Sequence, residues 1–271
     1  MTEKKEIVLM YSGGLDTTYI ALNLATKYEK VHLLTFCNGI CLRPYVSSKH
    51  VSMLCEKFGK DKFEHTIIPV EEIFSFLKKD ILRDMSKYHS PLLFDICCRL
   101  SMEIAVILYC LDKGIKHACD GSNPKTQGQM FIQQGEYLSK VDRFFARYGI
   151  QIDRSYKMLS SRDQISRELR NSGVDTGARW LKFFGISTQL FTQPFCLWAP
   201  VAFLFTSAIR KLPFIRLFSL SLEKAVLFRS EKEKLAQKFI DYLKYNHSLS
   251  YNKPCVKKVA RIFNCLPSDK D

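Results

Sequence analysis

The sequence predicts an α/β fold on a mainly parallel sheet, followed by a basic, mainly helical C-terminal extension. Three observations carry this expectation. Short apolar runs alternate with helical patterns through the first half of the chain. The first run enters the first helical pattern through two adjacent glycines, Gly13 and Gly14. Polar or glycine-containing turns follow the runs at Ser12–Thr18, Cys37–Gly39 and Asp120–Asn123, so a parallel sheet would collect all three on its carboxyl edge, where such sheets bind ligands.

Taken in order, Ile7-Val8-Leu9-Met10-Tyr11 is short, apolar and partly β-branched, as a buried parallel strand should be. Tyr19, Ile20, Leu22, Leu24 and Ala25 then recur at a helical spacing. Val31–Phe36 reads as a second strand, Ser47–Phe58 as a helix and His65–Val70 as a third strand. Helices are expected over Glu71–Met85 and Leu93–Leu111, then a fourth strand over Ile115–Cys119. The pattern turns helical from about Pro200, with Ser221–Tyr245 the clearest stretch. The expected division is a domain over 1–195 and the extension over 196–271.

The turn Ser12-Gly13-Gly14-Leu15-Asp16-Thr17-Thr18 supports two readings. Two glycines before a helix permit positive φ and bare the first N–H groups of the helix, which makes an anion site. Hydroxyls of Ser12, Thr17 and Thr18 can then donate to phosphate oxygens, and Asp16 can orient the loop or help to hold Mg²⁺. Alternatively this is an ordinary strand-to-helix turn, with Asp16, Thr17 or Thr18 capping the helix.

A hydrophobic share of 46% with 25% charged residues excludes a disordered chain. The polar opening MTEKKE argues against a secretory signal, and ten irregularly spaced cysteines argue for a reducing, cytoplasmic setting rather than a disulfide scaffold. Phe195–Ile209 is apolar but shorter than the ~20 residues that span a bilayer, and Pro200 interrupts it. A buried segment or a partner-facing patch fits it better, and an interfacial membrane contact stays open. The net charge of +14 is uneven, with 16 Lys and Arg against 15 Asp and Glu in residues 1–120, but 25 against 12 in residues 121–271. That asymmetry suggests a nucleotide-handling half joined to a half that faces a polyanion such as RNA. Lys232, Lys234 and Lys238 lie near Glu231 and Glu233 and fit a solvated helix face as well. Lys253, Lys257, Lys258 and Arg261 have fewer acids nearby and look more like a phosphate-contacting tail.

SGGLDT behind an apolar strand resembles the PP-loop of the ATP pyrophosphatase superfamily. The adjacent glycines set it apart from GxGxxG, and the absence of GK followed by Ser or Thr sets it apart from a Walker loop. Four later segments are similar, in order, to those of the 4-thiouridine synthetases within that superfamily. They are Cys98-Arg99-Leu100-Ser101-Met102-Glu103-Ile104-Ala105, Asp120-Gly121 with Gly128–Gln133, Ser161–Ile165, and Gln193-Pro194-Phe195-Cys196. The resemblance spans residues 6 to 200 and departs from the family in two places. A single arginine stands where the family often has two adjacent basic residues, and TGE is replaced by Cys119-Asp120-Gly121. The family's N-terminal RNA-binding domain and a rhodanese domain have no counterpart in the sequence.

The resemblance implies a three-layer PP-loop fold and an enzyme that uses ATP and Mg²⁺. The loop would grip the pyrophosphate of ATP, a substrate oxygen would attack the α-phosphorus, and a nucleophile would then displace AMP. It implies nucleotide contacts at Ser12, Gly13, Gly14, Asp16, Thr17, Thr18, Asn38, Asp120 and Gly121. It further implies a tRNA base as the acceptor, a sulfur-donor protein as partner, and Cys196 as the thiol that carries sulfur. Sulfur transfer needs a nucleophilic thiolate and often a second thiol, for which Cys97 and Cys98 are the first choices. Arg99 and Lys125 are candidates to stabilise charge on the α-phosphate. An iron–sulfur cluster on Cys97, Cys98 and Cys196 is a weaker alternative, because Asp95 stands where a C-x-x-C pair would need cysteine. Cys55, Cys110, Cys255 and Cys265 read as small buried hydrophobes. Two other classes remain open: a nitrogen-inserting ligase acting on a small molecule, and a nucleotide- or RNA-binding protein without turnover.

Overall fold

A computed structural model describes residues 5–122, 132, 134–156, 161–175, 180–181, 186–187, 194–198 and 220–246. The sequence segments Gly128–Gln133 (apart from Ile132), Lys125, most of Phe195–Ile209 and the basic cluster from Lys253 to Arg261 lie outside them, as do Cys255 and Cys265. The chain divides into two compact units, each discontinuous in sequence. The first takes Met1–Ile68, Ile115–Lys125 and Ile150–Leu197, and the second takes Pro69–Gly114, Thr126–Gly149 and Trp198–Asp271. The segment that begins at Trp198 therefore shares a unit with two earlier segments, and Cys196 stays with the first unit.

The first unit is the expected α/β sheet. It contains β1 (Glu6–Met10), α1 (Leu15–Ala25), β2 (Lys30–Cys37), β3 (Cys41–Leu42), α2 (Val46–Phe58), a single 3-10 turn at Lys60–Lys62 and β4 (Phe63–Pro69). After the segment belonging to the second unit it resumes with β5 (His117–Cys119). The sheet order is β4-β2-β1-β5 and then β6 (Gln151–Ile152), and the β1/β2, β1/β5 and β5/β6 ladders are parallel. The central position of β1 explains its composition, because Ile7, Val8 and Leu9 are fully buried and need no polar alternation.

Helix α7 (Arg162–Asn171) packs on α1, and Ile165, Leu169 and Val174 join Ile20, Leu24, Leu33 and Leu54 in one core. Its start is fixed by a capping box. Ser161 Oγ accepts the Gln164 N–H at 3.2 Å, and the Gln164 side chain accepts the Ser161 N–H at 3.2 Å. Ser161→Ala should lower the stability of this unit by about 1 kcal/mol, read as an earlier urea midpoint. Three two-residue strands, β7 (Trp180–Leu181), β8 (Ile186–Ser187) and β9 (Phe195–Cys196), complete the described part, with β7 paired to β8 and β3 to β9.

The second unit is helical: α3 (Glu71–Leu77), α4 (Ile81–Tyr88), α5 (Leu93–Lys113), α6 (Gly135–Ala146) and α8 (Leu222–Asn246). The single helix expected over Glu71–Met85 is two. The break at Lys78–Asp80 lets α4 start a new phase, which turns Asp84 and Tyr88 inward. Helix α8 packs on α5, α6 and α3, with Phe239 stacked on Phe76 at 5.5 Å and Phe228 edge-on to Tyr88 at 5.5 Å.

The basic look of α8 is partly internal. Arg229 is fully buried, with its Nη2 2.7 Å from Glu103 Oε2 and its Nη1 3.1 Å from the Tyr137 hydroxyl. Lys232 is also buried and pairs with Asp84 at 2.7 Å, while Glu231 accepts from Lys87 at 2.8 Å. Arg229 and Lys232 pair inside the unit and do not contribute to a surface for a polyanion.

Candidate functional site

The ends of β1, β2 and β5 lie side by side in the sheet, which brings Ser12–Thr18, Asn38 and Asp120–Ser122 to one edge. The loop after β1 closes on itself through Ser12. Its Oγ accepts the Gly14 N–H at 3.2 Å and lies 3.0 Å from Thr17 Oγ1, which donates to the Gly14 carbonyl at 3.3 Å. Thr18 turns away from the loop mouth, since its hydroxyl is buried and lies 3.1 Å from the Tyr11 hydroxyl.

Gly14 occupies the N-cap position of α1, and no side chain caps the helix. Neither Asp16 nor the two threonines fill that role, so the first-turn N–H groups stay open, as an anion site requires. Gly13 adopts φ +69°, and a Cβ there would fall 2.9 Å from both Cα and Cβ of Ser47 and 3.4 Å from Pro194 Cδ. Only glycine fits this approach.

The Gly13 carbonyl is held from behind by buried His50, whose Nδ1 lies 2.7 Å away. A carbonyl only accepts, so Nδ1 carries the proton. Thr35 Oγ1 donates to the Tyr11 carbonyl at 2.9 Å and lies 2.9 Å from Nε2 of His65. Burial pushes His65 down to about 4, which keeps this imidazole neutral at physiological pH.

Asp16, in the first turn of α1, is the chemically unresolved group of the loop. Its Oδ1 is buried without a hydrogen bond. Burial raises the carboxyl above its ordinary range, and the charge of Arg162 at the start of α7 partly opposes this. A buried carboxylate oxygen without a donor fits a cation held between loop and ligand. The donor chemistry is suitable for Mg²⁺, which favours hard oxygen ligands and keeps part of its water shell.

Asp120 and Asn38 shape their turns. Asp120 is buried, accepts the Ser122 N–H at 3.0 Å and pairs with Arg154 at 2.7 Å. Tyr156 donates to the Ser122 carbonyl. Gly121 has φ +67°, and a Cβ there would meet the Met10 carbonyl and Thr17 Cγ2, each at 3.2 Å. Asn38 Oδ1 accepts the Ile40 N–H at 3.2 Å, and its Nδ2 lies 4.0 Å from Cys196 Sγ.

Cys196 does not stand in an irregular segment. It lies instead in β9, directly opposite Cys41 of β3, and is half-buried. The strand forms because β3 offers it an antiparallel partner, with the Leu197 N–H donating to the Ile40 carbonyl at 3.1 Å. Cys98 and Arg99 belong to α5 in the second unit. Arg99 Nε donates to Glu103 at 3.0 Å, so its guanidinium joins the Glu103–Arg229 network. Cys98 is half-buried, whereas Cys97 is fully buried and its thiol is pushed up to about 12 by burial. Asp95, one turn before, is raised to about 7 by its own burial. Cys110 is buried as expected, and Cys55 is half-buried. Among the described residues no three His, Cys, Asp or Glu side chains are grouped to hold a metal ion, and no helix is long and apolar enough to cross a membrane.

Several contributors escaped the sequence reading. His50, Ser47 and Pro194 reach Gly13 across long sequence separations, and Arg162 was passed over although Ser161–Ile165 had been singled out. Cys41 carries a signal only once its partner strand is known.

No protein-family model and no curated protein matches the chain. Among solved structures, the chain is similar to one described as a predicted subunit of tRNA methyltransferase from Methanocaldococcus jannaschii. The two share 17% identity over 62% of this chain and 74% of the other, with a TM-score of 0.40.

Proposed function

We propose that the first unit is a PP-loop ATP pyrophosphatase that adenylates a substrate oxygen. The observation that carries this reading is the junction of β1 and α1. There an uncapped helix start, the positive-φ Gly13 and the unpartnered Asp16 oxygen converge. The open N–H groups and Ser12 would hold the pyrophosphate of ATP, and Asp16 would hold Mg²⁺, which neutralises phosphate charge when bound. His50 fixes the Gly13 peptide, and the Asp120–Arg154 pair with Gly121 supports the loop from the β5 side.

In the reaction, a carbonyl oxygen of the acceptor attacks the α-phosphorus and pyrophosphate leaves with the broken P–O bond. The outer sulfur of a persulfide then attacks the activated carbon and AMP departs with the oxygen. A second thiol attacks the inner sulfur, which breaks the S–S bond, frees the thiolated base and leaves a protein disulfide. We assign the sulfur to Cys196 as a persulfide and the acceptor to a tRNA base. Support for the cysteine comes from its strand, which follows Pro194, whose ring a Cβ added at Gly13 would meet at 3.4 Å, and from the neighbouring Asn38 side chain.

The test measures pyrophosphate release in the presence of Mg²⁺ and tRNA. Asp16→Ala should reduce release to background. Cys196→Ser should keep release and lose thiolated RNA. Unchanged release in Asp16→Ala would refute the loop assignment, and unchanged thiolation in Cys196→Ser would refute the sulfur assignment.

A further inference from the structure

The β3/β9 ladder sets Cys41 and Cys196 directly opposite one another. The Leu197 N–H donates to the Ile40 carbonyl at 3.1 Å, at the position of a hydrogen-bonded pair, while the Ile40 N–H turns to Asn38 Oδ1 at 3.2 Å. In an antiparallel ladder such pairs alternate, so 41 and 196 occupy a non-hydrogen-bonded position, with Cα atoms roughly 4.5 Å apart and side chains on one face. That separation falls inside the ~4.4–6.8 Å range of disulfides. Both thiols are free and half-buried, hence reachable by a small reagent. Cys37 stands near enough to act on the Cys41 thiol, which burial and the two neighbouring cysteines push up to about 11.

We propose that Cys41 and Cys196 form a reversible dithiol–disulfide pair that exchanges with low-molecular-weight disulfides. One thiolate of the pair attacks a sulfur of the small disulfide, forms a mixed disulfide and expels one thiolate. The other cysteine, on losing its proton, attacks the protein sulfur of that mixed disulfide and expels the second. The small disulfide is reduced to two thiols, and the two cysteines are oxidised by two electrons. The inference rests on the ladder and is independent of the nucleotide assignment. It makes Cys41, rather than Cys97 or Cys98, the thiol that shares a disulfide with Cys196.

The full chain, reduced with dithiothreitol and then exposed to oxidised glutathione, tests this by differential alkylation and peptide mass spectrometry. The expected product is a peptide pair joined through Cys41 and Cys196, lighter by two hydrogens and separated again by dithiothreitol. Cys37→Ser should retain the bridge. Cys41→Ser should leave Cys196 as a stable mixed disulfide with glutathione. A bridge from Cys196 to any other cysteine would overturn the proposal, as would full alkylation of both thiols after oxidation.

Discussion

Gly13→Ala is expected to weaken ATP binding by at least about tenfold, measured by equilibrium titration in the presence of Mg²⁺. Two costs add at this position. An alanine at φ +69° pays a left-handed backbone penalty of ~1–2 kcal/mol, and each 1.4 kcal/mol is about tenfold in affinity. The new methyl would also lie 2.9 Å from the Ser47 backbone, which cannot swing aside as a flexible side-chain tip would. The loop must therefore move, carrying Gly14 and the open helix start with it. Gly173→Ala is the control. It has φ +79° with nothing within 4 Å of the added carbon, so it bears the backbone penalty alone. Gly173→Ala should lose stability and keep ATP affinity. Equal affinities in the two variants would mean that the approach of Ser47 to Gly13 does not shape a binding site.

Arg229→Ala is expected to destabilise the second unit by about 3–5 kcal/mol, read from its denaturation midpoint. The guanidinium is fully buried and bonds to Glu103, itself without exposure, and to Tyr137. Removing it strands a carboxylate that water cannot reach, although Arg99 still donates to its other oxygen. The double variant Arg229→Met with Glu103→Gln removes both charges and fills most of the volume. It should lose less stability than the single Arg229→Ala change. A single variant with a wild-type midpoint would show that the pair is not holding α5, α6 and α8 together.

These two positions show what a sequence can carry. The glycine loop was legible because its chemistry is local: an apolar strand, two adjacent glycines and a helical pattern within twenty residues. The start of α7 was met only as the segment Ser161–Ile165, similar to a family motif, although Ser161 and Gln164 stand at capping-box spacing. The parallel sheet followed from alternation, and the sheet edge shared by residues 12–18, 38 and 120 followed from the sheet. Arg229 was not legible, because counting charges along α8 does not reveal which of them is neutralised inside the fold. Nor was the placement of Cys196, since a two-residue strand has no periodicity to detect. The grip of His50 on Gly13 joins residues 37 positions apart, and nothing near either residue announces it. The division into discontinuous units has the same origin, because the segments 69–114 and 126–149 keep the helical patterning that any α/β crossover shows.

On the proposed function, the junction of β1 and α1 splits ATP between its α- and β-phosphates. That cleavage is tested most directly by identifying the nucleotide product after incubation of the full chain with ATP, Mg²⁺ and tRNA. AMP and pyrophosphate in equal amounts are the expected products. ADP with inorganic phosphate, or ATP that remains intact, would contradict it.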